Sequence, residues 1–107
     1  MSTHVNELSH AELERIGILV EELGEVCQVL GKVLRHGLEA SNPNLKHAPT
    51  NRQDLEKELG DLKNATNMLV EEEMVSQAAI DARADYKSAT IDMWLHYLSK
   101  HPIRRED

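Results

Sequence analysis

Residues 9–37 read SHAELERIGILVEELGEVCQVLGKVLRHG, and residues 50–73 read TNRQDLEKELGDLKNATNMLVEEE. In the first stretch Ile16, Leu19, Val20, Leu23, Val26, Cys27, Leu30 and Leu34 recur at helical intervals. Ser9 and Glu12 have capping-box spacing, and Gly37 is a natural stop. The spacing predicts a helix over 9–37. In the second stretch Leu55, Leu59, Leu62, Thr66, Leu69 and Val70 form the stripe, and Thr50 with Gln53 repeats the capping box. A second helix is predicted over 51–73. The acidic run Glu71-Glu72-Glu73 is a poor helix end, because negative charge there opposes the helix dipole. The chain is expected to continue, bend or pass directly into another helix at that point.

Between them, residues 38–50 carry two of the three prolines and several turn formers, so they read as a long loop. Residues 76–99 contain neither Gly nor Pro and predict a third helix. It has two apolar faces: Ala79, Ala82, Tyr86, Ala89 and Met93 on one, Ile80, Ile91, Trp94, Leu95 and Leu98 on the other. Two apolar faces need two partners, here read as the intrachain core and a subunit interface. Residues 100–107 read as a flexible tail. No strand-like alternation appears. The expected fold is all-α, one domain over 1–107, with three main helices per chain and a four-helix-type core completed by oligomerisation.

Composition narrows the classes. The chain has 107 residues, 40% hydrophobic and 3% aromatic, with no Phe. A core of aliphatic residues in so short a chain gains from association with further copies, as a homodimer or homotetramer. The net charge of −7 argues against nucleic acid as a partner. No apolar run approaches a membrane span, and no basic start precedes an apolar stretch, so a cytoplasmic protein is expected. The single Cys27 lies among apolar residues and reads as a small core residue.

Chemistry concentrates in two acidic motifs, Glu21-Glu22-Leu23-Gly24-Glu25 and Glu58-Leu59-Gly60-Asp61. In each, carboxylates three residues apart share a helix face. Leu23 and Val26 flank the first pair and are expected in the core. Leu59 and Leu62 stand likewise beside the second. If the two helices pack antiparallel, Glu22, Glu25, Glu58 and Asp61 can meet, and carboxylates so gathered need a positive charge among them. A hard divalent cation, Mg²⁺ or in its place Mn²⁺, suits oxygen ligands. Taken singly, each motif is more commonly a solvated helix face. It is their repetition beside the apolar seam that distinguishes them. Gly24 and Gly60 admit either a close approach to the backbone or simple close packing of the helices. Glu7 and His10 make a lone E-x-x-H, whereas a ferritin-like di-iron site requires two.

The pair EELGE and ELGD resembles the signature, EExxE followed by ExxD, of the all-α nucleoside triphosphate pyrophosphohydrolases of the MazG type. The likeness covers roughly residues 12–75 and takes in LRHG and the approach to TNR. The interval between Glu25 and Glu58 is longer than in compact members. The resemblance implies that Glu22, Glu25, Glu58 and Asp61 bind Mg²⁺. Glu21 would be a ligand of a further ion, a group behind the ligands, or the base that orients water. The implied reaction is attack of water on the α-phosphorus of a nucleoside triphosphate, giving a monophosphate and pyrophosphate.

An anionic substrate also needs cations from the protein. Lys32 lies two helical turns beyond Glu25 on nearly the same face and is the first candidate phosphate contact. Arg35 and His36 follow at the helix end, where they equally serve the dipole. Arg52, Lys57 and Lys63 are weaker candidates that read as surface residues. Asn64, three after Asp61, is a candidate for base or sugar, and Lys87 in the third helix for phosphates of a neighbouring subunit. Trp94 and Tyr86 read as packing residues before base-stacking ones.

Overall fold

The computed structural model describes residues 6–97. It is all-helical there, with α1 at His10–His36, α2 at Asn51–Glu71, α3 at Gln77–Thr90 and a 3₁₀ turn at Ile91–Met93. By its contacts the chain divides into two compact units, Met1–Met74 and Val75–Asp107, each described by itself.

Helix α1 begins as the sequence predicts. The Ser9 hydroxyl accepts from the Glu12 amide at 3.1 Å, and the Glu12 carboxylate accepts from the Ser9 amide at 2.9 Å. The helix closes at Gly37, whose φ of 92° suits a residue without Cβ. Thr50 and Gln53 repeat the reciprocal cap at the start of α2. Helix α2 ends two residues earlier than expected, and the acidic run is the turn itself. Glu73 adopts φ 58°, its amide donates to Val70 O at 2.9 Å, and the Met74 amide reaches back to Leu69 O at 3.0 Å. This is the Schellman pattern, with a glutamate where glycine is usual. Arg15 on α1 meets Glu72 at 3.1 Å and offsets part of the charge that accumulates at this helix end.

The connection 38–50 is tied down at several points. Asn51 Nδ2 donates to Gly37 O at 2.9 Å, the Asn51 amide to Ala40 O at 2.9 Å, and the Arg52 amide to Leu38 O at 2.8 Å. Ser41 and Thr50 form an isolated antiparallel bridge, and Arg52 pairs with Glu39. These bonds return the chain beside α1, so α2 runs back along it as an antiparallel hairpin.

The buried seam lies elsewhere on α1 than the stripe suggests. Val26 and Val29 are buried there, and Ala65 and Leu69 on α2. Each Val or Leu so buried contributes about 1.5–3 kcal/mol. Val20, Leu23, Leu30, Leu34 and Leu59 are exposed, and so is Cys27. The expectation that Leu23, Cys27 and Leu59 lie in the core is therefore corrected. Two helices bury only the strip along their line of contact, and residues further round the cylinder remain outside. Val20, Leu23, Cys27, Leu30 and Leu34 repeat at intervals of three and four, so α1 carries a second apolar stripe, which faces outward within one chain.

Helix α3 stops at Thr90, well short of the expected 99, with Thr90 Oγ1 donating to Tyr86 O at 3.0 Å. A hydroxyl that bonds back to its own helix, followed by the β-branched Ile91, weakens continuation. The remainder of the predicted helix (98–99) and the tail 100–107 lie outside the described residues. No residue of α3 is buried, and Tyr86, Met93 and Trp94 are exposed. Among the described residues, neither Tyr86 nor Trp94 is packed into a core. No helix among the described residues is long and apolar enough to cross a membrane.

Candidate metal centre

Antiparallel pairing brings the two acidic motifs together. Glu22 and Glu25 from α1, with Glu58 and Asp61 from α2, each offer a carboxylate oxygen, and these four oxygens all lie within 4.8 Å of one another. Ligand oxygens around Mg²⁺ stand ~3 to ~4.2 Å apart, given octahedral bonds of about 2.1 Å. The spread of the four is thus slightly wider than a bound ion would leave it.

The four differ in surroundings. Glu58 is buried, only 8% exposed, whereas Glu22, Glu25 and Asp61 are half-buried. Glu22 Oε2 and Glu58 Oε2 are inaccessible to solvent and have no hydrogen-bond partner. A buried carboxylate oxygen without a donor is costly, and coordination to a cation removes that cost. The Glu25 carboxyl is raised from 4.5 to about 7, first by its hydrogen bond to Glu58, then by the charge of Glu22. Glu58 is held below its ordinary value, chiefly by a hydrogen bond from Lys57 and secondly by the one from Glu25. Orphaned oxygens and a carboxyl kept protonated by its neighbours both mark a cluster short of positive charge, and this donor set fits a hard divalent cation.

Lys57 is a surface residue whose Nζ lies 3.0 Å from Glu58 Oε1 and 3.3 Å from Asp61 Oδ2. Its ammonium is stabilised accordingly and its pKa is raised. The i,i+4 spacing to Asp61 was visible in the sequence. The bond to Glu58 was not, because adjacent residues of a helix do not face each other. Glu21 is exposed and lies outside the group of four.

An open cleft of about 850 Å³ lies between the end of α1, the connection 38–50 and the start of α2. Lys32, Arg35 and His36 line it, opposite Pro43, Leu45 and Pro49, with Asn51 and Asp54 along α2. Three of the predicted phosphate contacts are thus gathered in one place. Lys32 is seven residues beyond Glu25, about 10 Å along the axis at ~1.5 Å per residue. Asn51 and Asp54 had not been singled out. Asn51 is buried because its amide ties the loop to Gly37, a role with no signal in the sequence. Asn64 stands apart from the cleft, exposed, with its amide 3.8 Å from Met68 Sδ. Lys87 is exposed on α3, in the other unit.

Gly24 and Gly60 have nothing within 4 Å of a Cβ built on either. Tight packing of the two helices therefore does not account for them.

Compared with known proteins, the chain matches no family profile, no curated protein and no solved structure. The functional reading accordingly stands on the chain's own residues.

Proposed function

We propose that this chain is a Mg²⁺-dependent nucleoside triphosphate pyrophosphohydrolase, as its resemblance to the MazG type implies. The reading rests above all on the convergence of Glu22, Glu25, Glu58 and Asp61 from two helices, with two buried oxygens unpartnered. These four would hold the ion, for which Mn²⁺ can substitute. The chemistry a bound ion supplies is neutralisation of phosphate charge and acidification of coordinated water. Lys32, Arg35 and His36 bind the phosphate chain from the adjoining cleft and hold it along α1. Glu21, exposed and outside the four, is the carboxylate left to accept the proton of the attacking water. In the reaction water's oxygen bonds to the α-phosphorus, the bond to the bridging oxygen breaks, and pyrophosphate leaves from a (d)NTP to give a (d)NMP.

The proposal includes a homodimer or homotetramer in the cytoplasm, acting on ordinary or damaged nucleotides of the pool. A two-helix hairpin with a second apolar stripe on α1 gains a four-helix core by pairing with a copy of itself. That same stripe favours the competing reading, a non-catalytic helical interaction or nucleotide-binding module whose carboxylates are a solvated face.

A panel of (d)NTPs with Mg²⁺, scored for pyrophosphate against orthophosphate, separates the two. Pyrophosphate as first product, lost in Glu58→Gln, supports the enzyme. Orthophosphate as first product rules out attack at the α-phosphorus. No turnover of any nucleotide, together with no effect of Mg²⁺ or Mn²⁺ on melting, leaves the interaction module.

A further inference from the structure

The four carboxylates are not without a cation. Lys57 spans two of them, Glu58 Oε1 at 3.0 Å and Asp61 Oδ2 at 3.3 Å. Two other cations of the helix pair are drawn elsewhere, Arg15 to Glu72 and Arg52 to Glu39. The Lys57 side chain is 67% exposed, while that of Glu58, its partner, is 11% exposed and keeps one oxygen without a donor. An ammonium on a flexible four-carbon stem can leave such a position for water without disturbing the helix that carries it. The geometry points to Lys57 as a tethered counter-cation, which holds Glu58 and Asp61 in the ion-free protein and yields them when a divalent ion arrives.

The inference rests on the metal-centre reading and adds a consequence to it. A divalent ion bound to those oxygens and an ammonium about 3 Å from them are like charges a few ångströms apart, so both do not remain in place. Loading is an exchange of one cation for another. Lys57 thereby opposes binding of the ion and raises the concentration at which the centre fills. It also keeps the two α2 carboxylates from repelling each other before loading. A methionine at 57 retains the length of the stem and removes the competitor. An arginine keeps the charge.

The test is calorimetric titration of Mn²⁺ and Mg²⁺ into the full chain and into Lys57→Met and Lys57→Arg, with melting curves in chelator and at saturating ion. Lys57→Met is expected to bind the ion about fivefold more tightly, the scale of one exposed ion pair. Its melting temperature should fall below wild type in chelator and match it when loaded, and Lys57→Arg should keep wild-type affinity. Unchanged or weaker binding by Lys57→Met, with the same loss of melting temperature in both conditions, overturns the inference and leaves the metal centre standing. Absence of any ion response in the wild type overturns the metal centre and the inference together.

Discussion

The carboxylates of Glu25 on α1 and Glu58 on α2 offer oxygens within 4.8 Å of each other across the helix pair, and the interaction with Glu58, followed by the charge of Glu22, pushes the Glu25 pKa up to about 7. Glu58 can remain ionised because Lys57 supports it from the other side. One proton and one ammonium together do for this cluster what a divalent cation would do alone. Several measurable consequences depend on that substitution.

Stability should depend on pH in a defined window. Glu25 titrates at 4.5 ordinarily and at about 7 in the fold. Between those values the folded chain holds the proton more tightly than the unfolded one, so stability falls as pH rises through the window. Glu58 is shifted downward, so its stabilising contribution is present above its ordinary 4.5 and lost on acidification below it. In chelator, melting followed by circular dichroism should be highest near pH ~5 and decline toward pH ~8. Glu25→Gln should remove most of the decline. A profile that Glu25→Gln leaves unchanged would contradict this assignment.

Divalent ion should abolish that decline, because a carboxylate must lose its proton to act as ligand. At an ion concentration 100 times its dissociation constant, binding stabilises by about 2.7 kcal/mol. For a domain of this size that raises the melting temperature by roughly 10 °C or more. Asp61→Asn should lose most of the rise and reduce pyrophosphate release by about a thousandfold, a loss of roughly 4 kcal/mol in the transition state.

Lys32 should act on substrate binding. A hydrogen bond to a charged group is worth about 1.5–3 kcal/mol, so Lys32→Ala should raise KM by at least about tenfold. The effect on kcat should be smaller, and Lys32→Arg should recover part of the loss. Steady-state kinetics with a triphosphate decide it. A kcat loss with unchanged KM would move Lys32 away from the phosphate chain.

The outer stripe of α1 should control assembly. Leu30 and Val20 are exposed on it, 42% and 62% respectively, and neither belongs to the buried seam. Val20→Lys combined with Leu30→Lys should convert an oligomer to a monomer in sedimentation while the helical spectrum persists. Unchanged assembly would direct attention to another surface.

Three single changes test the helices themselves. Gly24→Ala and Gly60→Ala meet open space and each restore helix propensity, about 1 kcal/mol. Glu73→Gly relieves a left-handed conformation at a cost of similar size. All three should raise the melting temperature. A fall for either alanine, with Glu73→Gly still stabilising, would show that a second chain approaches that glycine.

Local rules made much of this legible before the fold was known. Both capping boxes and the Gly37 stop depend only on residues within a few positions of one another, so sequence spacing specifies them. The acidic foursome was legible for a related reason. Each pair lies on one helix face, and consecutive helices run antiparallel, which leaves few ways for the pairs not to meet. The buried stripe of α1 was misjudged at Leu23 and Cys27 because α1 carries apolar residues around more than one arc. Periodicity shows that such arcs exist but does not say which one a partner covers. The end of α3 was missed because no Gly or Pro marks it.

By itself the sequence determined three helices, the caps of α1 and α2, and the four carboxylates that could share a cation, since all follow from the helical repeat and short-range bonding. Only the tertiary structure decided that Val26 and Val29 face α2 and that Glu58 is buried with an oxygen unpaired. It also decided that Glu25 stands close enough to Glu58 and Glu22 for its pKa to be raised. Those outcomes depend on distances between side chains of different helices and on which surfaces lose water, and neither quantity is written in the order of residues along one helix.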